Sequence, residues 1–161
     1  MKILLTTWYD AAWHPMMIFT SQALAEQGHT VSIIYHQPSL QRSIPGAIDY
    51  GPDVQLYPVN HDWTGWRNRV AYIDFIRQVT TLARRFRPDV IIGYDMHGLT
   101  AAYVAQRAQP EARLAYHNFD LAAKELLSGF GRAVKRMERI AARSADLVIA
   151  SSPGRAQALQ Q

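Results

Sequence analysis

The chain has 161 residues, of which 48% are hydrophobic and 19% are charged, a composition that suits one folded domain and gives no sign of disorder. It contains no cysteine, so disulfide frameworks and thiolate metal sites are excluded. The net charge is +4, which is compatible with an acidic substrate, an anionic membrane or nucleic acid as a partner.

The chain opens with a strand, a helix and a second strand. Residues 1–6 are apolar, as expected for a strand with both faces covered, and this run is too short for a signal peptide. Helical spacing begins at Pro15 and continues to Gln27, where Gly28 is placed to end the helix in the left-handed conformation. A buried strand at 31–35 follows. No apolar run reaches the ~20 residues that cross a bilayer, so we expect a soluble, cytoplasmic protein.

From residue 37 onward the alternation of strands and helices continues. Two polar stretches, 37–51 and 60–67, predict loops, and Pro88 ends a long helical pattern. A break is expected at 129–131, where two glycines flank a phenylalanine. The predicted strands are 54–57, 90–93, 113–116 and 147–150, and the predicted helices are 69–86, 99–107 and 122–143, with one more from Pro153. This order predicts an α/β fold, a Rossmann-like open parallel sheet of about six to seven strands with helices on both faces.

Common phosphate-binding and metal-binding signatures are missing from the sequence. There is no Walker-type phosphate loop, and the single GxG at 129–131 lacks a third glycine and follows a helix. Neither HExxH nor GxSxG occurs, and no two histidines are spaced i, i+4 on one predicted helix. The sequence therefore disfavours the usual nucleotide-binding, redox and hydrolase functions of an α/β domain, and we expect neither a metal nor a bound cofactor.

Polar and aromatic side chains follow three of the predicted strands. Open parallel sheets bind their ligands at the carboxyl ends of the strands, so these side chains should line one crevice. Their aromatic rings, carboxylates and imidazoles suit a ligand rich in hydroxyl groups better than a phosphate, which needs free backbone N–H groups. The candidates are Trp8, Tyr9, Asp10, Trp13 and His14 after the first strand, Asp95 and His97 after the fourth, and His117 and Asn118 after the fifth.

Several of these residues also have a purely structural interpretation. Trp8 and Tyr9 can pack beneath a neighbouring loop. Asp95, together with His97, can cap a helix N-terminus by accepting backbone N–H bonds. His117 is the strongest single candidate for a functional role.

Four stretches, in this order, resemble the N-terminal half of the GT-B glycosyltransferases, specifically the large retaining family four. They are the apolar strand and helix that end in GHTV at 28–31, RPDVII followed by GYDMH at 87–97, LAYHNFD at 114–120, and Glu138 with ARSADLVIASS at 142–152. The resemblance covers nearly the whole chain. Two features depart from the family pattern. The first loop has AAWH in place of a glycine pair, and the two donor-binding glutamates spaced eight positions apart are missing.

The resemblance implies that residues 1–161 form one Rossmann-like, acceptor-side domain, one half of a GT-B architecture. The C-terminal domain that binds the nucleotide-sugar donor is then absent from this chain, which alone should be inactive. The implied activity is hexosyl transfer in bacterial cell-surface polysaccharide or glycolipid synthesis. His117 matches the position where family members place a histidine near the transferred sugar, which makes it the candidate catalytic residue. The remaining candidates would bind the sugar or glycolipid acceptor.

Two other interpretations remain open at this point. The chain can be a non-catalytic carbohydrate-binding or regulatory module that shares the fold. A flavodoxin-like receiver is a weaker alternative, because the first loop lacks the acidic cluster or phosphate loop it would need. The basic stretch at 124–143 is either a solvated helix face or a peripheral contact with the anionic inner membrane, as in related enzymes that act on lipid-linked acceptors. Nucleic acid is not expected as a partner.

Overall fold

The computed structural model describes residues 1–37, 48–61, 65–118 and 129–152. They form a six-stranded, entirely parallel sheet in the order β3-β2-β1-β4-β5-β6. The strands are β1 (Lys2–Thr7), β2 (Thr30–Gln37), β3 (Gln55–Asn60), β4 (Val90–Tyr94), β5 (Arg113–Asn118) and β6 (Leu147–Ala150). The helices are α1 (Pro15–Glu26), α2 (Arg67–Phe86), α3 (Asp95–Arg107) and α4 (Gly129–Ser144), and a short 3-10 helix spans Ala11–Trp13. The predicted α/β fold with an open parallel sheet is confirmed.

Helices cover both faces of the sheet because successive strand residues point to opposite sides. On one face, Leu4 and Ile91 pack with α2, α3 and α4 in the larger apolar core. On the other face, Ile3 and Leu5 pack with Met17 of α1 in a smaller core. The central strands are therefore buried on both sides, as their continuous apolar sequence predicts.

The end of α1 follows the prediction made from Gly28. Gly28 has φ 77°, and its N–H donates to the carbonyl of Ala25 at 2.9 Å. The N–H of His29 donates to the carbonyl of Leu24 at 3.1 Å. This pair of bonds is a Schellman motif, which satisfies carbonyl groups that the helix end would otherwise leave unpaired.

Several boundaries differ from the sequence prediction. α3 begins at Asp95 instead of residue 99, because β4 turns directly into the helix. β3 extends through Pro58 to Asn60, which an edge strand tolerates because the missing N–H then faces away from the ladder. Residues 129–131 are helical within α4, so the break predicted there is wrong. The predicted helical residues 122–128 and the helix from Pro153 lie outside the described residues.

In the part of the chain that the structure describes, no helix combines the length and apolarity required to cross a membrane.

Candidate functional site

The sheet order reverses between β1 and β4, so the chain leaves these two neighbouring strands in opposite directions along the sheet. A crevice for a ligand forms at such a point in open α/β sheets, outside the carboxyl ends of the strands. The 3-10 helix follows β1, and α3 follows β4. His14 of the first loop and Asp95 at the start of α3 meet at this switch point.

A tight turn from β4 into α3 places Asp95 at the switch point. Asp95 has φ 55°, a left-handed conformation that few residues other than glycine adopt. The turn is possible because two nearby glycines leave room for close backbone contact. A Cβ on Gly93 would lie 2.4 Å from the backbone of α3, and one on Gly98 would lie 2.5 Å from the carbonyl oxygen of Thr6. The Thr6 hydroxyl also donates to the carbonyl of Gly98 at 2.8 Å, which holds α3 against β1.

Asp95 forms a buried pair with His14 of the opening loop. The Nε2 of His14 lies 3.1 Å from Oδ2 of Asp95, and the two residues are 6% and 8% exposed. Oδ1 of Asp95 is also buried, and it has no hydrogen-bond partner among the described residues. No side chain caps α3, so the helix-cap interpretation of Asp95 is wrong. Its carboxylate faces the first loop instead.

His117 completes the group at the switch point. It lies in β5 directly opposite Tyr94 of β4, and the two ring centroids are 5.1 Å apart. The Tyr94 ring is also 5.1 Å from the ring of His14. Burial lowers the pKa of His117, the neighbouring His14 lowers it further, and Asp95 acts in the opposite direction. We call His14, Tyr94, Asp95 and His117 the switch-point cluster.

Trp8 and His97 lie on the other side of the sheet, next to α2. Trp8 is only 8% exposed, and its ring stacks on that of His36 with centroids 4.0 Å apart. Its edge contacts Tyr72, whose hydroxyl donates to the carbonyl of His97 at 2.8 Å. Burial lowers the pKa of His97 to about 4. The structure therefore supports the packing interpretation of Trp8, because its indole belongs to the core.

The first loop displays two aromatic rings on the surface. Asp10 is buried, and its Oδ1 accepts the N–H of Ala12 at 2.9 Å, which caps the 3-10 helix. This short helix leaves Tyr9 and Trp13 exposed by 50% and 63%. Asp10 therefore has a structural role in shaping the loop, while Tyr9 and Trp13 present exposed rings at the surface, with the Tyr9 ring centroid 6.4 Å from that of His97.

Asn118 is placed differently from His117, because adjacent strand residues point to opposite faces. Its side-chain amide donates to the hydroxyl of Tyr116 at 2.6 Å. That hydroxyl donates in turn to the carboxylate of Glu138, which also pairs with Lys135 of the same helix at 2.5 Å. Asn118 thus belongs to a buried polar network that joins β5 to α4.

Sequence reasoning found most of the switch-point cluster and missed the polar network. His14, Asp95 and His117 are brought together, with Tyr94 as an added member. Glu138 belongs to the last stretch that carries the family resemblance, but no role was predicted for it, although it stands four residues after Val134 on the apolar face of α4, a spacing that signals a buried carboxylate. Within the described ranges, no three His, Asp or Glu side chains are grouped to hold a metal ion.

A protein-family model matches most of the sequence. The model is described as a glycosyl transferase 4-like domain, and it matches residues 20–161. No curated protein matches the chain.

Several solved structures share the fold. Sucrose-phosphate synthase from Thermosynechococcus elongatus aligns with a TM-score of 0.76 and 14% identity over 99% of this chain and 44% of the synthase. The lipopolysaccharide outer core galactosyltransferase WaaB aligns with a TM-score of 0.62 and 11% identity over 100% of this chain and 43% of that enzyme. UDP-GlcNAc 2-epimerase from Methanocaldococcus jannaschii aligns with a TM-score of 0.58 and 14% identity over 98% of this chain and 41% of the epimerase. The chain therefore spans less than half the length of each of these proteins.

At such low identity these alignments show the fold alone, which transferases and an epimerase share. The chain has the architecture of one Rossmann-like half of a GT-B enzyme. The family is decided by the sequence model, which covers far more than half of the residues. The chain belongs to the glycosyl transferase 4-like domain family.

Proposed function

We propose that this chain is the N-terminal, acceptor-binding domain of a sugar-nucleotide-dependent glycosyltransferase that transfers a hexose in bacterial cell-surface polysaccharide or glycolipid synthesis. A C-terminal domain outside this chain would hold the nucleotide sugar, so the chain alone would be inactive. The family match supports this proposal, as does the coverage of 44% of the synthase and 43% of the galactosyltransferase. Neither a metal nor a cofactor is assigned to this domain.

The observation that carries the proposal is the switch-point cluster. One oxygen of the Asp95 carboxylate contacts His14, and the other is buried without a partner among the described residues. An unsatisfied buried polar atom costs about 1–3 kcal/mol, so a ligand hydroxyl that donates to it would be bound favourably. We assign Asp95 the role of receiving a hydroxyl of the acceptor sugar.

The other residues of the site would orient the acceptor. With its pKa lowered, His117 is neutral near pH 7, so one ring nitrogen donates and the other accepts. That suits a hydrogen bond to a sugar hydroxyl better than attraction to an anion. Tyr9 and Trp13 would stack on the C–H faces of the sugar ring. In the transfer itself, the acceptor oxygen bonds to the anomeric carbon while the bond from that carbon to the nucleoside diphosphate breaks, and the proton of the acceptor hydroxyl passes to the departing diphosphate.

Glycan binding tests the acceptor role. Labelled chain is applied to an array of bacterial cell-surface glycans, together with Trp13→Ala and Phe19→Ala variants. Both aromatic residues are 63% exposed, but Phe19 lies in α1, outside the loop. We expect Trp13→Ala to weaken binding about tenfold, the effect of losing ~1.4 kcal/mol, and Phe19→Ala to have no effect. Equal losses in the two variants would contradict the assigned site.

Calorimetry with UDP-glucose tests the proposal that the acceptor binds to this domain and the nucleotide sugar to the other. The chain alone should bind this donor weakly or not at all. Tight binding would overturn the acceptor-side assignment, because the donor site would then lie in this half. Glycan binding by the chain, combined with no transfer by the full-length protein, would favour the alternative of a carbohydrate-binding module.

We also propose that the protein is cytoplasmic and contacts the anionic inner membrane peripherally. The start of α2 exposes Trp66, Val70 and Ile73 by 69%, 43% and 63%. The guanidinium of Arg69 lies 5.7 Å from the ring centroid of Phe130, which connects this patch to α4. The exposed arginines of α4 are Arg132, Arg136, Arg139 and Arg143. Aromatic and aliphatic side chains bordered by cations suit an anionic lipid surface.

Sedimentation with vesicles tests the membrane contact. The chain should bind vesicles of phosphatidylglycerol and phosphatidylcholine, and should not bind vesicles of phosphatidylcholine alone. Binding should weaken at about 0.5 M salt because screening shortens the range of the attraction. Ile73→Glu should reduce binding, while Phe19→Glu on α1 serves as the matched control. No sedimentation with anionic vesicles at low salt would remove the proposal.

A further inference from the structure

A cavity of about 360 Å³ lies between the edge strand β3 and α2, and β2 separates it from β1 and the switch point. Its floor is apolar and is formed by Ile34, Val59 and Leu82. Specific small-molecule sites occupy roughly 300–1,000 Å³ and combine an apolar lining with a few polar groups. The volume corresponds to about 12 groups the size of a water molecule, each of ~30 Å³. The cavity is thus large enough for a small ligand.

Two arginines of α2 give the rim of this cavity a positive charge. Arg77 and Arg85 both line it, and they stand eight positions apart, about 12 Å along the helix axis. Nε of Arg77 lies 3.2 Å from a carboxylate oxygen of Asp74, so its charge is partly neutralised. Among the described residues, no carboxylate lies within the 4.0 Å of an ion pair to Arg85. Arg85 is therefore the group best placed to bind an anion.

The edge of β3 disfavours an extended peptide as the occupant. A peptide that adds to a sheet edge needs a regular row of outward backbone donors. Pro58 lies in the middle of β3 and lines the cavity, and proline has no N–H to donate. Proline at this position is one of the ways in which proteins protect a sheet edge from strand addition. A small molecule remains as the occupant that fits.

We propose that this cavity binds a medium-chain aliphatic anion, with its tail on Ile34, Val59 and Leu82 and its phosphate or carboxylate group on Arg85. The apolar floor removes the tail from water, at about 25 cal/mol per Å² of buried apolar surface. A guanidinium binds such a head group through two parallel hydrogen bonds. This site is separate from the acceptor site and does not depend on the proposed function.

Calorimetry with octyl phosphate tests the site, since this probe has about 13 non-hydrogen atoms, close to the estimated capacity. The titration is done on the whole chain, below the concentration at which the probe forms micelles. We expect one binding site for octyl phosphate and no binding of inorganic phosphate, which lacks the tail. Octanol, which lacks the charge, should bind at least about tenfold more weakly. Binding of inorganic phosphate alone would mean a surface anion site and would overturn the proposal.

Charge reversal at neighbouring positions provides the matched comparison. Arg85→Glu should abolish octyl phosphate binding, whereas Arg84→Glu makes the same charge change on an exposed residue outside the cavity and should leave binding unchanged. Equal affinities in the two variants would contradict the proposal.

As a second test, Thr81→Trp should fill the cavity and prevent binding while the chain stays folded, as checked by circular dichroism. Unchanged binding in this folded variant would place the probe elsewhere. None of these results changes the glycan binding expected for the chain and its Trp13→Ala variant. A failure of the octyl phosphate proposal is therefore distinguishable from a failure of the proposed function.

Discussion

Asp95 combines a left-handed backbone, a buried carboxylate and a contact with a histidine 81 positions away in sequence. The left-handed backbone and the buried carboxylate each have an energetic cost, and the close packing around Gly93 and Gly98 holds this conformation in place. The strain in the backbone can be separated from the chemistry of the side chain by substitution at this one position.

Asp95→Gly and Asp95→Ala both remove the carboxylate, but only glycine accepts φ 55° without strain. We expect the glycine variant to be more stable than the alanine variant by about 1 kcal/mol, measured by urea unfolding. Equal free energies of unfolding would mean that the turn relaxes when the carboxylate is removed.

His97 makes the stability of the fold depend on pH. Burial lowers its pKa from 6.5 to about 4, with Asp95 opposing the shift. Above pH 6.5 the residue is neutral in both the folded and the unfolded chain, so its contribution to stability is complete. Between pH 6.5 and 4 the unfolded chain binds a proton that the folded chain excludes, so stability falls as the pH falls. His36 and His117, whose pKa values are also lowered, act in the same direction.

We therefore expect the free energy of unfolding to fall by about 2 kcal/mol between pH 7 and pH 5 on account of His97 alone, at 1.36 kcal/mol per pH unit below 6.5. Urea titrations at the two pH values measure this loss, and His97→Gln should reduce it. Parallel pH curves for the variant and the original protein would show that folding does not lower the pKa of His97.

At the scale of secondary-structure elements, the contact between α3 and β1 depends on a missing side chain. A Cβ on Gly98 would lie 2.5 Å from the carbonyl oxygen of Thr6, which belongs to the rigid backbone of β1. A Cβ on Gly129, at the start of α4, would meet no atom within 4 Å. The two glycines therefore provide a matched pair of sites.

Gly98→Ala should destabilise the protein by about 1–3 kcal/mol, because α3 must move away from the sheet to make room. Gly129→Ala should be neutral or slightly stabilising, since alanine is the better helix former. Thermal unfolding of both variants measures the difference. Similar melting temperatures would indicate that α3 shifts without loss of packing.

At the scale of the whole molecule, stability should decrease from the centre of the sheet toward β6. Leu4 and Leu5 in β1 are 0% exposed, whereas Leu147, Val148 and Ile149 in β6 are 54%, 38% and 42% exposed. Hydrogen exchange measured by mass spectrometry should show slow exchange in β1 and β4 and fast exchange in β6, because local opening is easiest where little apolar surface is buried. Uniform protection across the sheet would contradict this order.

The alternation of apolar runs and helical spacing was enough to predict the sheet, because both features are local. The switch-point residues could be predicted from their position after strands that end at one edge. Three features could not. The left-handed Asp95 depends on tertiary contacts of Gly93 and Gly98, the burial of Trp8 depends on α2, and the partner of Glu138 lies 22 positions away. Each is determined by packing between elements that are distant in sequence.

The direct contact of the α3 backbone with β1 also bears on how the proposed acceptor site would accommodate different acceptors. With no compressible side-chain layer between them, α3 and the sheet act as one rigid body, and the carboxylate at its first turn serves as a fixed reference point. Under the proposed function, tolerance for acceptors of varied shape must then come from the first loop, where Tyr9 precedes the capped 3-10 helix and Trp13 ends it. Under the proposed function, altered selectivity is therefore to be sought by substituting the exposed Tyr9 and Trp13, while the core residue Trp8 and the His14–Asp95 pair are left in place.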